Sequence, residues 1–144
     1  MNIIDIFEKF AEDFESAVAD NNWLRLEKFF AENATYLNHG GPDPKCEGRE
    51  AILTYFEEDV TNTDRRFDTR TLIALSPPSV NGARLSRRWR CTYTLNDAPD
   101  LILEGESRYV FESDLIEALE VHLTEHSMQT LDKWMRENGD KLRN

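Results

Sequence analysis

Apolar side chains recur at three- and four-residue spacing through Ile3, Ile6, Phe7, Phe10, Phe14, Ala17 and Val18, with Glu8, Glu12, Asp13 and Glu15 mostly between them. Such a stripe covers one face of a 3.6-residue turn, so the spacing predicts an amphipathic first helix. Asp20-Asn21-Asn22 interrupts it, because these short polar side chains bond nearby backbone and favour turns and caps. Helical spacing resumes at Trp23, Leu26, Phe29 and Phe30, which predicts a short second helix.

The β-formers Thr35 and Tyr36 mark a short strand from Ala34 to Asn38, followed by a loop in which Gly40-Gly41-Pro42-Asp43-Pro44 excludes regular structure. Ala51, Ile52, Tyr55 and Phe56 restore helical spacing between Gly48 and Val60. Four strands are then expected, at about Arg66 to Leu75, Ala83 to Leu95, Leu101 to Phe111 and Leu115 to Leu123. Ser76-Pro77-Pro78, Asn96-Asp97-Ala98-Pro99 and Glu112-Ser113-Asp114 separate them, and connections this short favour an antiparallel meander. Met128, Leu131, Trp134 and Met135 share one side of a last helix from Glu125 to Asn138, with Gly139 as its stop. Helices ahead of an antiparallel run give an α+β fold. No repeat, low-complexity tract or linker divides the chain, so residues 1–144 are read as one domain.

Charge and composition narrow the partners. With 28 acidic against 17 basic residues the formal net charge is −11, which repels phosphate backbones and anionic lipid, so neither nucleic acid nor membrane is expected as a partner. No apolar run approaches the roughly 18 residues of a membrane span. Met1-Asn2-Ile3-Ile4-Asp5 has acids where a secretory signal is basic, from which a cytoplasmic protein is expected. Cys46 and Cys91 stand apart without a paired-ligand pattern and are read as free thiols, and His39, His122 and His126 do not converge. Neither a metal nor a cofactor is called for.

The order of elements, with Phe14 to Asn22, Trp23 to Phe30, Ala31-Glu32-Asn33-Ala34-Thr35 and Gly48-Arg49-Glu50-Ala51-Ile52, resembles the nuclear transport factor 2-like superfamily, especially its SnoaL-like and ketosteroid isomerase-like members. The resemblance covers nearly the whole chain. It implies a cone-shaped NTF2-like fold: three N-terminal helices packed into a strongly curved, mostly antiparallel sheet, a C-terminal helix, and a conical cavity for a small-molecule ligand. Dimers are usual in the superfamily, which implies a homodimer, here through the outer face of the sheet.

Period-two alternation then assigns the cavity wall. Trp89, Cys91 and Tyr93 point inward from one strand, Ser107, Tyr109 and Phe111 from the next, and Leu119, Val121 and Leu123 from the last. With Phe14, Trp23 and Tyr55 from the helices, the expected pocket is Phe14, Trp23, Tyr55, Trp89, Tyr93, Ser107, Tyr109, Phe111 and Leu119. These aromatics suit a ring-bearing ligand, and the same spacing suits plain core packing. The opposite parity sets Arg84, Arg88 and Arg90 against Glu104, Glu106 and Arg108 as an outer ladder of ion pairs.

Ketosteroid isomerase-like members use a carboxylate base on the first strand and an oxyanion hole made by a tyrosine and a protonated aspartic acid. At the matching positions this chain has Asn38 for the base and Phe14 for the tyrosine, while the acid falls near Ser107. All three depart, so steroid isomerisation is not carried over. The polar catalytic candidates are Tyr36, Asn38, His39 and Arg87. Tyr36 and Asn38 share a strand face and can orient a carbonyl or a water, or else satisfy loop backbone near Gly40-Gly41. His39, on the opposite parity, has the side-chain chemistry of an acid or base. Arg87 shares parity with Trp89 and can clamp a carboxylate in bidentate fashion, or pair with an acid such as Asp68. Two functions fit: a cofactor-free isomerase, cyclase, dehydratase or hydrolase of a small ring-bearing or carboxylate-bearing substrate, or a non-catalytic ligand-binding or dimeric assembly module.

Overall fold

A computed structural model describes residues 2–40 and 45–144; Gly41, Pro42, Asp43 and Pro44 of the expected loop lie outside the described residues. The first helix, α1 (Ile3–Asp20), begins where the Asn2 side chain accepts the Asp5 N–H at 3.0 Å, satisfying one of the four donors a helix start leaves open. Asn21 ends it in the left-handed region at φ 63°. The Asn21 carboxamide oxygen also accepts the Trp23 indole N–H at 2.9 Å, tying the next segment to the turn.

That segment, Trp23–Phe29, is a 3-10 helix and not the expected α-helix. Its buried residues are Trp23, Leu26 and Phe29, and a spacing of three matches three residues per turn better than 3.6. Phe30, fully buried, is thereby released to start β1 (Phe30–His39), four residues earlier than expected. It pairs with Ile116, and after a bulge the register runs from Thr35 opposite Ala118 to His39 opposite His122.

The remaining elements are β2 (Lys45–Glu47), α2 (Arg49–Asn62), a 3-10 turn at Asp64–Arg66, β3 (Thr69–Ala74), β4 (Ser79–Asn81), β5 (Arg84–Thr94), β6 (Leu101–Glu112), β7 (Leu115–Leu123), α3 (Glu125–Asn138) and a 3-10 turn at Gly139–Lys141. The strand expected from Arg66 thus begins at Thr69, and β2 and β4 are additions. Pro77 and Pro78 have no N–H to give a ladder, so the strand lying along one edge of β5 is split there into β3 and β4. Ser113 (φ 52°) and Asp114 (φ 66°) make the two-residue turn of the β6–β7 hairpin, whose paired positive φ angles match the right-handed twist of the strands.

The α-helices pack on one curved open sheet with strand order β2-β1-β7-β6-β5-β3, and β4 also pairs with β5. Every pairing is antiparallel except β1 with β7, which is parallel. The expected meander is therefore β5-β6-β7, closed on its far side by a strand from the other end of the chain. On the outer face the register sets Arg90 against Glu104 and Arg88 against Glu106. Arg90 does pair with Glu104 at 2.6 Å, but Arg108 takes Glu106 from two residues along the same strand, and Arg84 faces Val110. The ladder shrinks to one cross-strand pair because a neighbour on the same face competes for the second carboxylate. No helix among the described residues is long and apolar enough to cross a membrane.

Burial divides into two clusters. Phe7, Phe10, Leu26, Phe30, Ile52, Phe56 and Ile116 anchor the larger one, between α1, α2 and the β1-β7-β6 side of the sheet. Phe67, Cys91, Tyr93, Leu101, Leu103 and Trp134 form the second, beneath α3. The seam between them is not filled.

Candidate functional site

A cavity of about 400 Å³ occupies that seam, within the size range of ordinary small-molecule pockets. Its floor follows the sheet lattice. Reading across neighbouring strands, one row carries Arg87, Ser107, Val121 and Asn38, and the next carries Tyr109, Leu119 and Tyr36. Phe7, Phe10 and Phe14 of α1 and Phe56, Asp59 and Val60 of α2 form the roof, while Leu131 and Met135 of α3 close one end.

Trp89 lies across Gly105 on the adjacent strand. A Cβ at residue 105 would stand 2.6 Å from the Trp89 ring and 2.5 Å from the His122 carbonyl oxygen, so only glycine leaves room for the indole. The indole N–H donates to Ser107 Oγ at 3.0 Å, which fixes both side chains against the cavity.

Arg87 comes from the same floor row as Ser107. Its guanidinium carbon lies 4.7 Å from the centroid of the Phe7 ring, a cation–π contact, and it forms no ion pair among the described residues. Tyr109 packs edge-on to Phe7 with centroids 5.1 Å apart. Burial pushes the Tyr109 phenol up, while the charge of Arg87 and the hydroxyl of Ser107 pull it back. The phenol stays protonated near neutral pH and is a hydrogen-bond donor.

Tyr36 packs on Phe56 with centroids 5.1 Å apart, and burial holds its phenol well above the usual range. Asn38 Nδ2 donates to Tyr55 Oη at 2.9 Å, so Tyr55 orients the amide without lining the cavity. His39 points away, its ring 5.4 Å from that of His122, whose Nε2 is 2.8 Å from Glu120. His39 therefore stands outside the cavity, because parity on β1 separates it from Asn38.

Phe14, Trp89, Tyr93, Ser107, Tyr109 and Leu119 line the cavity together with Tyr36, Asn38 and Arg87. Trp23, Tyr55 and Phe111 do not. Phe14 and Phe56 stand in front of the Trp23 indole, at 5.4 and 6.0 Å between centroids. Phe111 has the inward parity but lies at the filled end of β6, stacked on Tyr109. Strand parity gives a side chain's face; depth along the strand decides whether it meets the cavity or the core.

The end of the cavity away from Arg87 is acidic, and of the residues that build it only Tyr93 was expected there from strand parity. Arg70 of β3 is held by Asp64 at 2.7 Å and by Glu15 of α1 at 2.6 Å. Tyr93 Oη donates to the same Asp64 oxygen at 3.2 Å. Burial pushes the Asp64 carboxyl up, against the lowering effect of Arg70 and Tyr93. Beside them the Asp59 side chain faces the cavity with no hydrogen-bond or ion-pair partner among the described residues, and burial, with a smaller contribution from the Asp64 charge, pushes its carboxyl up to about 6. A signal for Asp59 was present: it sits three residues after Phe56 and four after Tyr55, so an acid interrupts the apolar stripe of α2. Arg70 likewise shares strand parity with the cavity-facing Leu72. No group of three or more metal-binding side chains occurs among the described residues.

Residues 11–125 match the model of the SnoaL-like domain. The chain belongs to the SnoaL-like domain family. No curated protein matches its sequence. Among solved structures this SnoaL-like chain is similar to Bal32a from a soil-derived mobile gene cassette, with 18% identity, TM-score 0.69, and coverage of 92% of this chain and 98% of that one. An NTF2-like protein of Burkholderia pseudomallei aligns at 12% identity and TM-score 0.65 over 94% of this chain and 97% of its own. TerC, co-crystallised with polyporic acid, aligns at 10% identity and TM-score 0.65 over 87% and 96%. At these identities the likeness is one of fold, and it places the SnoaL-like domain within the NTF2-like architecture expected from the sequence.

Proposed function

We propose that this protein is an enzyme that moves a proton on a small organic molecule held in the cavity, with Asp59 as the acid–base group. The observation that carries this reading is a carboxyl on the cavity wall that has no partner among the described residues and whose buried environment brings its pKa to about 6. A group poised there is part ionised and part protonated near neutral pH, so it can both take and return a proton. Ionised Asp59 would remove a proton from carbon or from water. Tyr36 Oη and the second N–H of Asn38 would donate to the oxygen on which negative charge develops. That step is common to isomerisation, cyclisation, dehydration and hydrolysis, and the residues named call for no cofactor.

The test needs no prior substrate. Small cyclic ketones and β-hydroxy ketones are incubated with the protein in deuterium oxide, and solvent exchange at carbon is followed by proton NMR. Wild-type exchange that falls at least a hundredfold in Asp59→Asn supports the reading. Undiminished exchange in that variant removes Asp59 from the chemistry.

A second reading concerns assembly and is supported by the outer sheet face, where Ile73 and Ile102 are 46% and 47% exposed beside the Arg90–Glu104 pair. Two such faces, brought together in a homodimer, would bury on the order of 1,200–2,000 Å² in total. Sedimentation velocity at micromolar protein decides it: a dimer that Ile102→Lys dissociates supports the interface, and a monomer refutes it.

A further inference from the structure

We propose that the cavity takes a ring-bearing carboxylate, its anionic group held by Arg87, Ser107 and Tyr109 and its ring extending between the aromatic walls toward the acidic end. The inference rests on the proposed use of this cavity as the reaction site, and it adds which substrates enter and in which orientation.

Among the described residues, the charged side chains lining the cavity are Glu15, Asp59, Asp64, Arg70 and Arg87. Arg70 is already bound by Glu15 and Asp64. Arg87 has no carboxylate partner among the described residues, although acidic residues outnumber basic ones by 28 to 17 in the chain. A guanidinium with one face on the Phe7 ring keeps its N–H edge free, and that edge matches the two oxygens of a carboxylate.

Donors stand next to it. Ser107 is directly opposite Arg87 in the β5–β6 register, and Tyr109 is the next inward residue on β6. Ser107 Oγ accepts the Trp89 N–H, and the Ser107 and Tyr109 hydroxyls share a hydrogen bond, which leaves one hydroxyl hydrogen of the pair to donate to a ligand. Tyr109 is kept protonated, and its oxygen is near enough to Arg87 for the charge to be felt there. The Arg87 guanidinium and the Ser107–Tyr109 hydroxyl pair therefore converge where the described residues supply no carboxylate.

The far end fixes the orientation. Tyr93 lies six residues beyond Arg87 on β5, about 20 Å of strand. Around it Glu15, Asp64 and Asp59 outweigh the single Arg70, which repels an anion and attracts none. A carboxylate head settles at Arg87, and a one- or two-ring body then reaches the neighbourhood of Asp59.

Calorimetric titration with 2-naphthoate, benzoate and phenylacetate, each against its neutral primary amide, tests this. The expected result for the wild type is at least a tenfold preference for carboxylate over amide. Arg87→Ala abolishes the preference and Arg87→Lys restores part of it. Arg88→Ala, exposed on the outer face, leaves it intact. Retained amide binding in Arg87→Ala shows that the cavity still forms. Equal affinity for acids and amides across the panel, or a preference that survives Arg87→Ala, overturns the proposal. The preference reports on the Arg87 end of the cavity and the exchange on the Asp59 end. Anion preference without Asp59-dependent exchange thus counts only against the proton-transfer reading, and Asp59-dependent exchange of neutral ketones without anion preference counts only against this one.

Discussion

Asp64 binds Arg70 Nε at 2.7 Å where the two side chains are only 10% and 13% exposed. A pair at that depth costs desolvation to form and much more to break, since removing one partner strands the other's charge out of water. The pair joins β3 to the turn after α2, and Glu15 extends it to α1.

Arg70→Ala is accordingly expected to lower stability by about 3 kcal/mol, with Asp64→Asn in the same chain returning part of the loss. Urea denaturation of the two single variants and the double variant measures the coupling. A purely additive cycle would mean that the ion pair contributes nothing as a pair.

Asp59→Asn is expected to stabilise the protein above pH 7. The folded carboxyl is raised from 3.8 to about 6, so the folded state holds the proton more tightly than the unfolded one. The stability this lends is complete below about pH 4 and is lost as pH rises through about 6. At pH 7.5 wild type therefore bears a penalty on the order of 3 kcal/mol that the amide escapes. Thermal unfolding of both proteins at pH 5 and pH 7.5 checks it: the advantage of the variant should shrink at the lower pH. Greater stability with lost turnover is the trade-off expected of a functional carboxylate.

Gly105→Ala is expected to displace Trp89. The added methyl carbon would meet both the indole and the His122 carbonyl oxygen, and the latter belongs to a paired strand that cannot yield. A loss of about 1–3 kcal/mol and a changed tryptophan emission spectrum should follow, measured by denaturation and fluorescence. An unchanged emission maximum would show that the indole is not seated on residue 105.

The outer ion pair should matter little. Arg90 and Glu104 are 42% and 33% exposed, so Arg90→Ala is expected to cost about 0.2–1 kcal/mol, and less in high salt. Paired melts at low and high ionic strength test this contrast with Arg70.

Elements whose signal is local were legible in the chain. The stripe of α1 and the alternation along β5, β6 and β7 follow from residue spacing alone, and that alternation also placed Arg87 and Ser107 on the inner face. Three kinds of feature were not. The choice between an α- and a 3-10 helix at Trp23–Phe29 turns on how three residues dock, and their hydrophobicity is the same in either case. Parallel pairing of β1 with β7 depends on residues remote in sequence, and β2 and β4 exist only because β1 and β5 offer an edge. The acidic end of the cavity arises where α1, α2 and β3 meet, so Glu15, Asp59 and Arg70 look like separate surface charges until the helices are laid on the sheet.

The closing of the sheet by β1 has a kinetic side. Asn38 finds its ladder partner in Val121, so neither strand can complete its hydrogen bonding until nearly the whole chain is available. The hairpins β5-β6-β7 involve only short loops and can form early, whereas this parallel union carries the loop-closure entropy of everything between. On the ribosome the N-terminal helix and strand must wait with an exposed edge, and the pocket floor, which needs β1 beside β7, is among the last parts of the molecule to appear.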